Sequence, residues 1–258
     1  MSETAASEPA PAPEVREVLV NDLLDVLAAG VRDFRAAPLY GLFFGGIYAL
    51  GGWLLILLLI YFELPFLVYP LAVGFAIVAP FVATGFYAVS YCLEKGDDLS
   101  WGRVFGAVRR AAGRELGWMA LVTGFSLFIW VDIAALMFFG FLGIRAISAT
   151  DLLTEILTTP MGILFLVLGN AVGAAISLIV FSFSVTSFPM LFERDVDFVT
   201  AMVTSVKVVV RNRRAMVAWC ITIAVLIAAC LLTGLLGLFV ILPILGHASW
   251  HLYRRAIA

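Results

Sequence analysis

The chain has 258 residues and a formal net charge of −2, and 63% of its residues are hydrophobic. Its mean hydropathy is +1.08, and apolar runs of about 20 residues, the length of a helix that crosses a bilayer, recur along it. These features indicate one integral membrane domain and exclude a pair of soluble domains. The three cysteines lie within or at the end of apolar segments, so no disulfide framework is predicted.

Residues 1–13 consist mainly of Ala, Pro, Ser and Glu, without Lys or Arg. This composition predicts a disordered N-terminal tail rather than a secretory signal. A single integral membrane domain is predicted over residues 14–255.

Three amphipathic helices are predicted, each before a pair of apolar segments. In residues 14–37 the apolar side chains recur at three- and four-residue spacing, as one face of a helix requires. Residues 97–114 and 195–214 have a similar pattern, and all three segments carry arginines near their ends. Because such cations favour the helix C-terminus and anionic headgroups, each helix is predicted to lie on the cytoplasmic surface.

Six membrane crossings are predicted from the apolar segments. Residues 215–253 would be about 58 Å long as one helix at 1.5 Å per residue, so they are predicted to form two crossings joined by a turn at Thr233–Gly237. Pro80, in the interior of the second crossing, is predicted to kink it. The predicted crossings are residues 40–61, 66–92, 117–143, 161–189, 215–233 and 237–253.

The positions of the cations predict the orientation of these crossings. With both termini in the cytoplasm, Arg145, in an outer loop after the third crossing, is the one cation of 16 outside, in agreement with the positive-inside rule. The predicted fold is therefore an all-α, polytopic membrane helix bundle. Its six transmembrane helices form three hairpins, each preceded by a cytoplasmic interfacial amphipathic helix.

Both histidines of the chain, His247 and His251, lie in the last crossing. Because they are four residues apart, they share one face of a helix and are candidate ligands for a metal or a haem. Tyr253 or Glu94 is predicted to lie nearby on the same side. Tetrahedral metal sites use three or four protein ligands, however, and no clear third ligand accompanies this pair. We therefore predict no bound cofactor and keep metal or haem binding as the alternative.

Aromatic and basic residues surround the second histidine. Trp250, Tyr253, Arg254 and Arg255 are predicted to anchor the last helix at the inner headgroup level, where such side chains are enriched. The arginine clusters of the chain predict contact with anionic lipid headgroups and do not imply nucleic acid.

Asp132 and Asn170 are polar residues predicted to lie inside the membrane, where a charge costs roughly 2.5–3.5 kcal/mol. They lie about 16 and 14 Å from the outer ends of the third and fourth crossings at 1.5 Å per residue. This similar depth predicts a buried polar pair between two antiparallel helices. The functional alternative is a proton or cation site in a cavity.

Two motifs resemble a known family. The first runs from Gly246 to Arg254 and reads Gly-His-Ala-Ser-Trp-His-Leu-Tyr-Arg. The second is spread over residues 79–96 and comprises Ala79-Pro80-Phe81, Gly85, Tyr87, Ser90, Leu93-Glu94 and Gly96. Together they resemble the domain-of-unknown-function family 2189 of bacterial inner-membrane proteins. The resemblance implies a multi-helix protein of the bacterial cytoplasmic (inner) membrane and implies no activity.

The sequence leaves three functions open. We favour a non-enzymatic scaffold or accessory factor for a membrane complex, with another membrane protein as partner, because no phosphate-binding glycine loop, serine-nucleophile motif or cysteine-pair metal motif is present. A small-solute transporter or channel is second, motivated by the repeated hairpins, Pro80 and Asp132. A metal- or haem-binding protein that uses His247 and His251 is third.

Overall fold

This computed structural model describes residues 13–61, 81–143 and 149–258. Over these residues the regular structure consists of eleven α-helices and one isolated β-bridge. The helices are α1 (Asp22–Ala36), α2 (Pro38–Ile60), α3 (described over residues 81–95), α4 (Trp101–Ala111), α5 (Arg114–Leu142), α6 (Ala149–Thr158), α7 (Pro160–Ser184), α8 (Ser187–Glu193), α9 (Phe198–Arg211), α10 (Arg213–Leu232) and α11 (Leu238–Ala256). Residues 1–12 of the predicted tail, the start of the second predicted crossing with Pro80, and Arg145 lie outside the described residues.

Four helical segments in the described ranges are long and apolar enough to cross a membrane. α11 is not among them, although it has 19 residues, because its second half carries two histidines and two arginines. The protein is therefore all-helical in its described part, with several apolar helices of membrane-spanning length. The four segments are Pro38–Leu58, Glu115–Leu142, Pro160–Glu193 and Arg213–Leu232.

Consecutive long helices run in opposite directions. Ser90 of α3 bonds to Asp33, just before α2, while Phe86 meets Phe44 further along α2 with the ring centroids 5.9 Å apart. The chain therefore returns along α2 in the antiparallel sense. At the other end of the bundle, the Trp53 indole donates to the carbonyl oxygen of Gly234 at 2.8 Å, so the turn between α10 and α11 lies beside the far part of α2.

The turn between α10 and α11 occupies the residues where two glycines predict it. α10 ends at Leu232 and α11 begins at Leu238. Gly234 and Leu235 have φ angles of 60° and 69°, in the left-handed region that reverses the chain after a helix. Glycine adopts this conformation without strain, whereas Leu235 does so against the preference of a branched side chain.

The two ends of the described chain pair with each other. Val15 and Ile257 form an antiparallel β-bridge. On either side of it, the Arg16 amide donates to the carbonyl oxygen of Ala256 at 2.8 Å, and the Ala258 amide donates to the carbonyl oxygen of Glu14 at 2.9 Å. The N-terminal and C-terminal segments therefore lie on the same side of the bundle.

The extended N-terminal segment is also held by Asn212, the buried residue between α9 and α10. The Val18 amide donates to Asn212 Oδ1 at 2.8 Å, and Asn212 Nδ2 donates to the Arg16 carbonyl oxygen at 3.0 Å. Because these backbone groups bond outside a helix, α1 begins at Asp22. The amphipathic helix predicted over residues 14–37 is therefore shorter than its apolar spacing indicates.

α5 and α7 form a hairpin whose apolar length has little cover from the rest of the protein. In their most apolar stretches 6% and 0% of the residues are buried, against 28% in α2 and 22% in α10. The two helices pack on each other, since a Cβ atom added at Gly173 would lie 3.0 Å from the Trp130 ring. The hairpin therefore presents a large apolar surface in the isolated chain.

The link between α5 and α7 differs from the outer loop that was predicted, because it contains the helix α6. The Thr159 hydroxyl caps α7 by accepting from the Gly162 amide at 3.0 Å, and Pro160 occupies the first turn. Gly162 lets α6 pack against this end of α7, since an added Cβ atom would overlap the backbone of Glu155 and Ile156. Three neighbouring charges suggested a loop, but they did not reveal a helix of ten residues.

Gly30 of α1 lies against the backbone of α11. A Cβ atom at this position would lie 2.5 Å from the Ile244 carbonyl oxygen and 2.9 Å from the Ala248 Cβ atom. We predict that Gly30→Ala lowers the free energy of unfolding by about 1–3 kcal/mol, because the two helices must move apart. The matched control is Gly102→Ala in α4, where no heavy atom lies within 4 Å of the new methyl group. Thermal unfolding in detergent should separate the two, and equal melting temperatures would contradict the close packing.

Candidate functional site

The candidate site lies at the end of α11, from His247 to Arg255, called here the polar end of α11. Helical spacing places His247 and His251 on one face, toward α1 and α3. Trp250 and Arg254 share a second face, toward the end of α3 and toward α8. Two groups of polar side chains therefore meet on neighbouring sides of a single helix.

The first group joins three helices through one carboxylate. Asp33 of α1 accepts hydrogen bonds through Oδ2 from the Ser90 hydroxyl and from His251 Nε2, each at 2.7 Å. The Ser90 oxygen also lies 2.8 Å from His247 Nδ1. A carboxylate only accepts, so His251 carries its proton on Nε2. Ser90 gives its single proton to Asp33 and accepts from His247, which assigns the His247 proton to Nδ1.

Asp33 is ionised in this arrangement. Burial by itself raises the pKa of its carboxyl group, but the hydrogen bonds from His251 and Ser90 and the charges of the two histidines outweigh burial. The pKa of Asp33 therefore lies below its ordinary value. The side chain is 14% exposed and that of His251 is 24% exposed, so this contact lies at the edge of the protein interior.

His247 extends the same group into the interior. The residue is fully buried, and its Nε2 atom has no hydrogen-bond partner within the described part of the chain. The Phe86 ring meets it edge-on with the centroids 5.6 Å apart. With the proton on Nδ1, the buried Nε2 atom has a lone pair without a hydrogen bond, which is an unfavourable position for a polar atom.

The predicted histidine pair does not form one joint ligand set. One nitrogen of His247 faces Ser90, and one nitrogen of His251 binds Asp33. Across residues 13–61, 81–143 and 149–258, no group of three or more His, Cys, Asp or Glu side chains is placed to hold a metal ion. Metal or haem binding by this pair stays a prediction that the geometry does not favour.

Ser90, His247 and Asp33 have the side chains of a hydrolase triad, but their connections differ. In a triad the serine gives its proton to the histidine, and the acid orients that histidine. Here Asp33 accepts from Ser90 itself and from the other histidine, His251. Ser90 and His247 are both fully buried, so a substrate has no access to the hydroxyl. The arrangement connects helices rather than preparing a nucleophile.

The second group surrounds two glutamates from different helices. Glu94 of α3 accepts from the Trp250 indole at 3.0 Å and from two nitrogens of Arg254 at 3.0 and 2.6 Å. Glu193 of α8 accepts from Arg254 at 2.9 Å and from the Tyr253 hydroxyl at 2.6 Å. Arg254 therefore bridges two carboxylates, an arrangement that suits the forked geometry of a guanidinium group.

The surroundings of the predicted anchor residues differ from the expectation. Trp250 and Tyr253 are fully buried in protein and do not face the headgroup region. Arg254 forms ion pairs with Glu94 and Glu193, and Arg255 forms an ion pair with Asp22 of α1 at 2.5 Å. Aromatic and basic residues at a helix end suit a lipid interface and a buried polar cluster equally well. The sequence alone did not distinguish these two environments.

The predicted pair of Asp132 and Asn170 is not joined by a hydrogen bond within the described residues, and both side chains are exposed in the isolated chain. Asn170 donates instead to the Leu166 carbonyl oxygen of its own helix at 2.7 Å. Asp132 is ten residues before the end of α5 and Asn170 ten residues after the start of α7, so they lie at similar distances along the hairpin, and their depth in a membrane stays a prediction. Their rotation about the helix axes, which depth does not determine, keeps them apart.

Asp33, Ser90 and Glu193 are the site residues that sequence reasoning did not assign to the site, whereas Glu94 was predicted to lie near the two histidines. Ser90 and Glu94 lie in the second family motif, four residues apart and hence on one helix face. Their spacing repeats the four-residue spacing of the two histidines. This shared spacing was the sequence signal that could have indicated a contact between the two helices. Asp33 and Glu193 gave no such signal, because they resembled ordinary charges on a surface helix and in a loop.

Helices of this length and hydropathy, joined by buried polar groups at one end, define an integral membrane protein. Residues 68–193 match the model of the family DUF2189, described as "Predicted integral membrane protein". The family resemblance seen in the sequence is thus confirmed over this segment, which includes the motif of residues 79–96. The motif from Gly246 to Arg254 lies beyond the match, so its link to the family stays a prediction. No curated protein and no solved structure matches the chain.

Replacing Asp33 should reveal its contribution to stability. Its lowered pKa means that the folded state favours the ionised form, so its contribution is present above about pH 4 and is lost as the pH falls through the lowered pKa. We predict that Asp33→Asn lowers the free energy of unfolding by about 1–3 kcal/mol at neutral pH.

The control is Asp25→Asn, at an exposed position on the same helix. Melting temperatures in detergent, measured from neutral to acid pH, should show the gap between wild type and Asp33→Asn narrowing as the pH falls. Asp25→Asn should follow the wild type throughout. An equal gap at every pH would show that the Asp33 carboxylate does not supply the stabilisation.

Proposed function

We propose that the protein is a non-enzymatic scaffold or accessory factor for a complex in the bacterial inner membrane. In this proposal it crosses the membrane six times as three hairpins, with both termini in the cytoplasm. The helices α1, α4 and α9 lie along the inner surface. The observation that carries the role is the α5–α7 hairpin, whose apolar length is almost uncovered by the rest of the chain.

The contacts between the ends of the chain support an even number of crossings. Val15 and Ile257 are bonded neighbours, so both ends lie on one side of the bundle. Beyond the four apolar helices, α3 returns along α2, and α11 returns from the turn at Gly234 to the segment paired with Val15. Counting α3 and α11 as crossings gives the alternating path of six, in agreement with the distribution of the cations.

The exposed hairpin supports a role in assembly. Lipid tails are as apolar as leucine, so exposure to lipid is not unfavourable by itself. The helices of the protein differ in this respect, because the most apolar stretches of α2 and α10 are partly buried whereas those of α5 and α7 are almost uncovered. A hairpin held to the bundle at its base offers two long faces to a neighbouring membrane protein.

A groove between α5, α7 and α10 bears on the transporter alternative. Its volume is about 600 Å³, and most of its lining is apolar. The Thr123 and Ser126 hydroxyls that line it donate to carbonyl oxygens of their own helix at 2.9 and 2.8 Å. The groove therefore suits a lipid tail or a helix side chain better than a hydrophilic solute, which favours the accessory role over transport.

Anionic lipid headgroups are the proposed partners of the inner surface. Arg211, Arg213 and Arg214 are exposed at the junction of α9 and α10. None of the three forms an ion pair with another residue in the part of the chain that the structure describes. Juxtamembrane cations of this kind each contribute about 1 kcal/mol to binding an anionic leaflet.

The six-crossing path predicts opposite sides for two exposed positions. Leu236→Cys, in the α10–α11 turn, should react with a membrane-impermeant maleimide added to intact cells, whereas Arg213→Cys should react only after permeabilisation. A path with only the four apolar helices as crossings reverses both results. The unsubstituted protein, whose three cysteines remain in both variants, measures the background labelling.

The accessory role predicts protein contacts that are confined to the hairpin. A photo-crosslinking amino acid at Leu136 of α5 or Val167 of α7, which are 74% and 59% exposed, should give a discrete protein adduct in cells. The matched control is Leu50 of α2, an apolar position that is 59% exposed. Identical adduct patterns at all three positions, or none at the hairpin, would contradict the accessory role.

A further inference from the structure

Asp132 lies near the middle of a membrane-spanning helix. α5 has 29 residues, and Asp132 is ten residues before its outer end at Leu142. At 1.5 Å per residue this distance is about 15 Å, half the thickness of the hydrocarbon core. In the six-crossing path proposed above, with Leu142 at the outer boundary, the carboxyl group therefore lies about half-way through the hydrocarbon core.

The Asp132 side chain points away from the rest of the hairpin. Trp130, which packs at Gly173 of α7, is two residues away, and two residues correspond to about 200° around a helix. Phe125, Leu136 and Phe139 share the Asp132 side of α5 by their spacing and are 61%, 74% and 52% exposed. The acid is thus the single ionisable group on a wide apolar face.

Among the described residues no Lys, Arg or His forms an ion pair with the Asp132 carboxyl group. A charged side chain at mid-membrane costs roughly 2.5–3.5 kcal/mol on insertion scales, so such residues pair with one another or line water. Between Glu115 and Glu193 the only Lys or Arg in the sequence is Arg145, which follows the end of α5. The other predicted crossings contain neither Lys nor Arg, so a second copy of the chain brings no such cation to this depth.

We propose that the outer face of α5 docks a transmembrane helix of a different protein, one that carries Lys or Arg at the depth of Asp132. The charge on α5 and the apolar residues around it determine this chemistry. An opposite charge removes the cost of the isolated acid, and its depth fixes the register of the two helices. The inference rests on the accessory role proposed above and names the partner chemistry of that surface.

Designed peptides test the proposal with the full chain in lipid vesicles. The probes are leucine- and alanine-based helices of about 20 residues, with Lys at the centre, with Leu at the centre, or with Lys moved to one end. Energy transfer between labelled protein and labelled peptide reports association. The central-Lys peptide should bind about tenfold more tightly than the other two.

Variants of the chain connect this binding to the residue. Asp132→Asn should reduce binding of the central-Lys peptide to the level of the Leu peptide, while Asp132→Glu should retain it. Asp132→Lys should reverse the preference, toward a peptide with Asp at its centre. Because the side chain is exposed, Asp132→Asn should keep the melting temperature of the wild type, which shows that the bundle remains folded.

Three results would overturn the proposal. The first is equal binding of the three peptides, and the second is binding that Asp132→Asn leaves unchanged. The third is a dimer of the protein alone that Asp132→Asn dissociates, since it would make a second copy the occupant of this face.

The accessory role fails separately from this inference. If adducts at Leu136 persist in the Asp132→Asn variant, the hairpin still docks a partner. The accessory role would then stand, and the proposed charge pairing would be contradicted. If the central-Lys peptide binds but the hairpin gives no adduct in cells, the charge pairing is possible in vesicles. The accessory role, which requires a natural partner, would then be contradicted.

Discussion

The ionised carboxyl group of Asp33 determines how α1, α3 and α11 pack. Its bonds to Ser90 and His251 bring together residues that are 57 and 218 positions away in the chain. Hydrogen bonds to a charged group contribute about 1.5–3 kcal/mol, and a buried charge that loses its partner costs more. Arg254 has the same role between Glu94 and Glu193. The charges of Asp33 and Arg254 therefore fix the direction and rotation of α11. The first hairpin, α2 and α3, packs against this helix.

Hydrogen bonds and ion pairs are important in this protein because apolar contact alone does not determine how helices are arranged inside a membrane. Helices gain no hydrophobic free energy by leaving lipid for each other, so packing shape and polar bonds decide their arrangement. The described polar bonds between distant helices concentrate at the end of the bundle where the two termini meet. α5 and α7 have few such bonds along their apolar length, and their surface remains open. The same principle explains both the ordered end of the protein and the uncovered hairpin.

The positions of the helices could be predicted from the sequence better than the contacts between them. Hydrophobic spacing predicted an all-helical membrane protein, and two glycines located the turn before Leu238. Spacing along one helix cannot show which distant helix a side chain meets, so Asp33 was not assigned to the site. From the sequence, Trp250 was predicted to lie at a lipid interface. In the structure it is buried, and its indole donates a hydrogen bond to Glu94. For Asp132 the depth in the membrane stays a prediction, and the rotation of α5 depends on packing against other helices, which the local sequence pattern does not contain.

The long separation between Asp33 and its histidine has a consequence for biosynthesis. At roughly 5–20 residues per second, a ribosome needs about 11–44 s to make the 218 residues that separate Asp33 from His251. For most of that interval the first hairpin is already made, while the partners of Asp33 and Glu94 on α11 do not yet exist. The emerging chain must therefore tolerate the unpaired acids until the last helix is made. The polar contacts of Asp33 and Glu94 with α11 therefore form only in finished molecules.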